Sequence, residues 1–130
     1  IAPRQPQSPR AMQFKPKSSK VVIINNDGKV MLVKIAGKEL YDLPGGHQEP
    51  GETATAAAIR EVKEEVGLDI FYVEQIGMTD RKDFFVTQIF SGEIKLQEEE
   101  VSEYIWVEST KVREYNVTDE VQKGIALYHM

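Results

Sequence analysis

Apolar and polar positions follow two different rhythms along this chain. Val21-Val22-Ile23-Ile24 and Val30-Met31-Leu32-Val33 are continuous apolar runs separated by Asn25-Asn26-Asp27-Gly28, whose residues tolerate positive φ. Two such runs joined by such a segment predict a β-hairpin. Leu43-Pro44-Gly45-Gly46 is a cluster of breakers and predicts a loop. Residues 53–66 then switch to the helical period. At about 100° per residue, Ile59, Val62 and Val66 share one side, while Glu61, Glu64 and Glu65 share a roughly opposite one. Thr53 suits the N-cap of that helix, and Gly67 stands where a left-handed C-cap is favoured. Farther on, Ile70–Ile76, Phe84–Phe90 and Tyr104–Val107 read as strands, and 118–128 as a closing helix. Strands before and after a central helix, with a second helix at the end, predict a mixed α/β or α+β domain.

Composition sharpens this picture. A chain of 130 residues fits one domain with its own core. With no cysteine, a disulfide framework, a thiolate nucleophile and a Cys-ligated metal are excluded. No run of about 18 apolar residues and no signal-like leader is visible, so a cytoplasmic protein without membrane contact is expected. Four of the six prolines fall within the first 16 residues, among Gln, Ser and Arg. Residues 1–19 are therefore expected to form a flexible basic leader, with 1–11 of cloning origin or the trace of a longer precursor, and the folded domain is expected over 20–130.

The charge is unevenly placed. Residues 1–20 carry five basic residues and no acid, whereas 21–130 carry 11 basic and 21 acidic residues, a charge of −10. An acidic field of that size repels bare polyanions, so duplex nucleic acid is an unsuitable partner for the domain. A domain of this charge that handles phosphates needs a cation between them.

The helix over 53–66 is where that cation would sit. Glu61 stands three and four residues before Glu64 and Glu65, so like charges repel, at a cost of a few tenths of a kcal/mol per pair. All three also lie toward the negative end of the helix dipole. Lys63 and Arg60 offset this only in part. One reading is that Glu and Lys are simply good helix formers on a solvated face. The other is a hard divalent cation, because carboxylate oxygens are the ligands that Mg²⁺ or Mn²⁺ prefers. The preceding Pro44-Gly45-Gly46 favours the second, since a bare backbone lets a ligand approach closely.

The segment Gly46 to Leu68 resembles the Nudix box. Gly46, Glu52, Arg60, Glu61, Val62, Glu64, Glu65, Gly67 and Leu68 meet every specified position at the specified spacing. Leu43-Pro44-Gly45-Gly46 resembles the usual approach to that box, and Tyr104-Ile105-Trp106-Val107 a late strand of the family. The resemblance implies an α/β/α sandwich with a mixed central sheet. It also implies cleavage of a pyrophosphate bond in nucleoside diphosphates linked to another group, with Mg²⁺ or Mn²⁺. On these positions, Glu64 and Glu65 are the expected main metal ligands and the Gly45 carbonyl a further one. Glu61 is expected as another ligand or as the base toward water, Arg60 as the group that orients the glutamates, and Glu52 as its partner or an occasional ligand. In some members the base lies outside the box, which makes Glu100 and Glu103 candidates. Many relatives pair as dimers.

Around the box, Gly46 and His47 are expected against phosphate, with a solvated loop side chain as the alternative for His47. Of Phe84 and Phe85, alternation along a strand sends one inward and leaves the other as a wall for a base. Trp106 is expected in the core. The substrate is read by subtraction. The chain has no proline after Pro50, where ADP-ribose hydrolases often carry one. It has Phe84 and Phe85 near the place where dinucleoside polyphosphate hydrolases often carry tyrosine, and no recognisable coenzyme A signature. A compact MutT-like hydrolase of nucleoside or deoxynucleoside triphosphates remains, beside an RNA 5′-end pyrophosphohydrolase and a binding module without catalysis.

Overall fold

A computed structural model describes residues 16–130. Strands β1 (Ser18–Ile23), β2 (Lys29–Ile35), β3 (Tyr41–Asp42) and β4 (Gly45–His47) precede helix α1 (Ala54–Val66). Strands β5 (Asp69–Met78), β6 (Lys82–Ser91) and β7 (Val101–Glu108), a 3-10 turn over Ser109–Glu114 and helix α2 (Asp119–Tyr128) follow. One sheet is mixed, in the order β4-β1-β6-β5, with β1 and β6 parallel; the other, β3-β2-β7, is antiparallel. No helix among the described residues is long and apolar enough to cross a membrane.

The continuous apolar runs have a direct cause: both of their faces are covered. Val21, Ile23, Met31, Val33 and Phe85 pack with Ala58, Val62 and Val66 of α1. Their neighbours Val22, Ile24, Val30, Leu32 and Phe84 pack with Val121 and Ile125 of α2. The strands thus lie between two helices, each sealing one core.

This arrangement corrects four expectations. β1 and β2 do not form a hairpin. Asn25 does make the turn, its carbonyl accepting from the Gly28 amide at 2.9 Å, but the only bridge joining the two runs is Ile24 to Val30. β1 is flanked by β4 and β6, so β2 pairs with β3 and β7 in the second sheet. Phe84 and Phe85 are both buried, at 1% exposure each, and neither forms an open wall, because β6 has a core on each face. Gly45–His47 is a short strand rather than an open loop, paired with Ser18–Lys20. That pairing brings Ser18 and Ser19, counted with the leader above, into the fold as buried residues. Trp106 is half-buried against the first core and stacks on Phe90, with ring centroids 6.4 Å apart.

Candidate active site

Two elements build the site: the glycines of β4 and the carboxylate side of α1. Thr53 caps α1 by accepting from the Ala56 amide at 3.0 Å, and Gly67 closes it at φ 83°. Between them the helix aims Arg60, Glu61 and Glu65 at the β4 segment, with Glu64 beside Arg60. Arg60 is their hub. It binds Glu52 in a fork, with Nε donating to Oε2 at 2.7 Å and Nη2 to Oε1 at 2.9 Å. Nη1 donates to Glu61 at 3.0 Å and to Glu64 at 3.2 Å, and Nη2 also reaches the His47 carbonyl at 3.0 Å. The guanidinium therefore ties two of the helix's three glutamates, Glu61 and Glu64, and Glu52 before the helix, to the end of β4.

Gly46 leaves the space that the Glu61 carboxylate fills. A Cβ there would overlap the carboxylate of Glu61, which lies against the backbone. Gly45 has φ 139°, and a Cβ on it would overlap the Ser19 carbonyl across the β1–β4 pair. Glu65, expected as a main metal ligand, does not stand on a solvated face. Its side chain turns toward β4, where it accepts from the Gly45 amide at 3.2 Å. Burial pushes its carboxyl up to about 7, with Asp42 and Glu61 adding to the shift and Lys20 and the Gly45 amide opposing it. Glu52 moves the other way: the Arg60 fork holds it down at about 2.

Beside Glu65 opens a cavity of about 250 Å³ whose lining includes Lys20, Asp42, Gly45, Gly46, His47 and Glu100. Glu100 therefore reaches the site, and His47 lies exposed at its edge. Glu103 does not line it; its carboxylate accepts from the Tyr41 hydroxyl at 2.9 Å and pairs with Lys34. Phe84 and Phe85 stay in the cores. Sequence reasoning missed Lys20 and Asp42, an ion pair at 2.9 Å that forms part of the cavity wall. Lys20 was hidden by its place next to the leader, and its only sequence signal was a charge entering an apolar run.

The donor set suits a hard divalent cation. Glu61, Glu64, Glu65 and the β4 backbone offer only oxygen ligands, and Glu65 is a carboxylate whose ionised form its surroundings disfavour, which a cation would relieve. Among the described residues no three acidic or histidine side chains converge on one point, because Arg60 draws Glu61 and Glu64 to itself and Glu65 turns to Gly45.

An α/β/α sandwich that sets a glycine-lined backbone against a glutamate-rich helix defines a class of phosphate-handling proteins. The chain belongs to the Nudix domain family: the family model for the NUDIX domain matches residues 15–127. It is 40% identical over 75 residues to a Bacillus subtilis protein provisionally named an 8-oxo-dGTP diphosphatase, covering 57% of this chain and 50% of that one. An ADP-ribose pyrophosphatase of Methanocaldococcus jannaschii is 34% identical over 86 residues, covering 56% and 51%. An RNA pyrophosphohydrolase of Legionella pneumophila is 39% identical over 61 residues, covering 47% and 35%. The chain thus spans about half or less of the curated relatives it matches. In fold it is similar to a MutT NUDIX hydrolase from Burkholderia pseudomallei, with TM-score 0.79 at 19% identity, over 88% of this chain and 98% of that one.

Proposed function

We propose that this chain is a metal-dependent pyrophosphohydrolase of the MutT-like kind, acting on nucleoside or deoxynucleoside triphosphates, oxidised ones included. The observation that carries the reading is the α1 carboxylate set beside β4, where Glu65 accepts from the Gly45 amide, Glu61 lies against Gly46, and Arg60 binds Glu61, Glu64 and the His47 carbonyl. Glu61, Glu64, Glu65 and the Gly45 carbonyl are the groups that would hold Mg²⁺ or Mn²⁺. When bound, the ion supplies neutralisation of the diphosphate oxygens and a more acidic attacking water.

The chain's own residues do the rest. Arg60 keeps Glu52, Glu61 and Glu64 together next to β4, and Glu61 and Glu64 would turn from it to the ion. The Gly45 and Gly46 backbone leaves room for a phosphate beside the helix. Glu61 or Glu100 takes the proton as the water oxygen bonds to phosphorus and the bridging P–O bond breaks. Lys20 and His47 place positive or polar groups on the wall of the cavity. The likeness to the Bacillus subtilis protein supports a deoxynucleotide, and the reading takes a soluble, cytoplasmic enzyme acting on a small molecule. An RNA 5′ end is the second reading and has less support, since the open groove of about 670 Å³ past Glu64 sets Lys63 and Lys95 against Glu64, Asp69 and Glu93, with Lys63 paired to Asp69 at 3.2 Å.

The test is a screen of the purified protein with Mg²⁺ or Mn²⁺ against nucleoside triphosphates, 8-oxo-dGTP, ADP-ribose, dinucleoside polyphosphates and 5′-triphosphorylated RNA. Preferred turnover of a triphosphate nucleotide supports the reading. Preferred turnover of the RNA moves the substrate to the groove beside Glu64, and no turnover of any compound removes the catalytic claim.

A further inference from the structure

On the side of the mixed sheet that faces α1, the row Gly46, Ser19, Asp83 runs straight across β4, β1 and β6. The same strand faces continue as Val21, Ile23 and Phe85, all apolar. Stability alone would be served by continuing them in kind. Instead Asp83 stands there, 3% exposed. Its carboxylate collects donors from three separate segments: Lys17 at 3.1 Å, Gln75 at 2.8 Å and Gln48 at 2.7 Å. A buried carboxylate with donors on both oxygens is a rigid anchor.

Gln48 is the residue so anchored. Its side-chain amide also reaches the Ser19 hydroxyl at 3.2 Å, and that hydroxyl donates to the Ala54 carbonyl in the first turn of α1. Its backbone amide donates to the Lys17 carbonyl at 2.8 Å. Side chain and main chain together fix the peptide between His47 and Gln48. That peptide carries the carbonyl to which Arg60 donates at 3.0 Å, and Arg60 sets Glu61 and Glu64.

We propose that Asp83 is a positioning residue, acting through Gln48 and the His47 carbonyl to hold Arg60, and with it the two glutamates, in register with the β4 backbone. The proposal rests on the pyrophosphohydrolase reading for its catalytic consequence, and on geometry alone for its effect on Arg60. Asp83→Asn replaces an acceptor of three donors by a group that itself donates. Gln48→Met removes the link and leaves Asp83 its Lys17 and Gln75 partners, so it carries the test should Asp83→Asn not fold.

The two variants and their double are compared with the parent in two measurements: water exchange of the Arg60 Nε–H in ¹⁵N-labelled metal-free protein, and kcat and KM for a triphosphate with Mg²⁺. Expected is about ten-fold faster Nε–H exchange and about ten-fold lower kcat in each single variant, KM within about two-fold, and no further loss in the double. Exchange and kcat at parental values, with only the melting temperature lowered, would make Asp83 a structural residue and overturn the proposal. Losses that multiply in the double overturn the route through Gln48. A parent without turnover defeats the functional reading alone, and the exchange rate of Arg60 still decides the positioning role.

Discussion

At the scale of single residues the site is a contest between one guanidinium, one ammonium and several carboxylates. The sequence could show that Glu61, Glu64 and Glu65 crowd one region of a helix, and that Arg60 could not neutralise all three. It could not show that Arg60 would be shared among Glu52, Glu61 and Glu64 while Glu65 turned inward, because that choice depends on how close β4 lies. The inward turn has a measurable result. A carboxyl held at about 7 when folded, against 4.5 ordinarily, binds more protons in the folded than in the unfolded state between those values. Its contribution is therefore stability present below pH 4.5 and lost as pH rises toward 7. Glu52, held at about 2, acts in the opposite sense, with stability present above pH 4.5 and lost as pH falls toward 2. In metal-free protein, the melting temperature of Glu65→Gln relative to the parent is expected to rise steadily from pH 4.5 to 7, as followed by differential scanning fluorimetry. A difference that stays flat over that range would contradict the burial of Glu65. Gly46→Ala tests the other half of the site: with Glu61 displaced by the new Cβ, kcat/KM is expected to fall about a hundred-fold, read by pyrophosphate release.

At the scale of elements, α1 was the most legible part of the chain, because its start, period and stop are all local. Thr53 caps it and Gly67 ends it, as the sequence predicts. Thr53→Ala is expected to cost about 1 kcal/mol in urea unfolding through loss of the bond to the Ala56 amide. Gly67→Ala is expected to cost more than that cap. Its φ of 83° strains any side chain, and a Cβ would sit 3.0 Å from the Lys95 amide nitrogen. A larger loss in Thr53→Ala than in Gly67→Ala would contradict this order. The strands were less legible. The runs at Val21 and Val30 were visible, but their partners were not, since pairing with β6 and β7 spans more than sixty residues and leaves no local mark. A turn-like Asn-Asp-Gly segment suggested a hairpin, and competition from β4 and β6 for both edges of β1 decided otherwise. The strand within Pro44-Gly45-Gly46-His47 escaped notice because glycine carries no strand preference of its own.

At the scale of the molecule, two cores share the same strands, so neither is independent of the other. Phe84 belongs to the α2 side and Phe85 to the α1 side, a division that alternation predicts but whose burial on both sides it does not. Phe84→Ala and Phe85→Ala are each expected to cost about 3–5 kcal/mol in one cooperative unfolding transition. A variant that keeps full stability and loses only nucleotide affinity would return that residue to the binding wall. The charge of the domain is read differently once the fold is known. Its surplus acid is partly gathered on α1, so a field that repels bare polyanions also contains the place where a cation could reverse its sign. The central claim is that this place hydrolyses nucleotides, and the most direct measurement is Mg²⁺-dependent release of pyrophosphate and nucleoside monophosphate from a nucleoside triphosphate by the parent and by Glu64→Gln. The account predicts that Glu64→Gln folds with an unchanged melting transition and loses activity by about a hundred-fold or more. Equal rates in the two proteins, or a parental rate that ignores Mg²⁺, would contradict it.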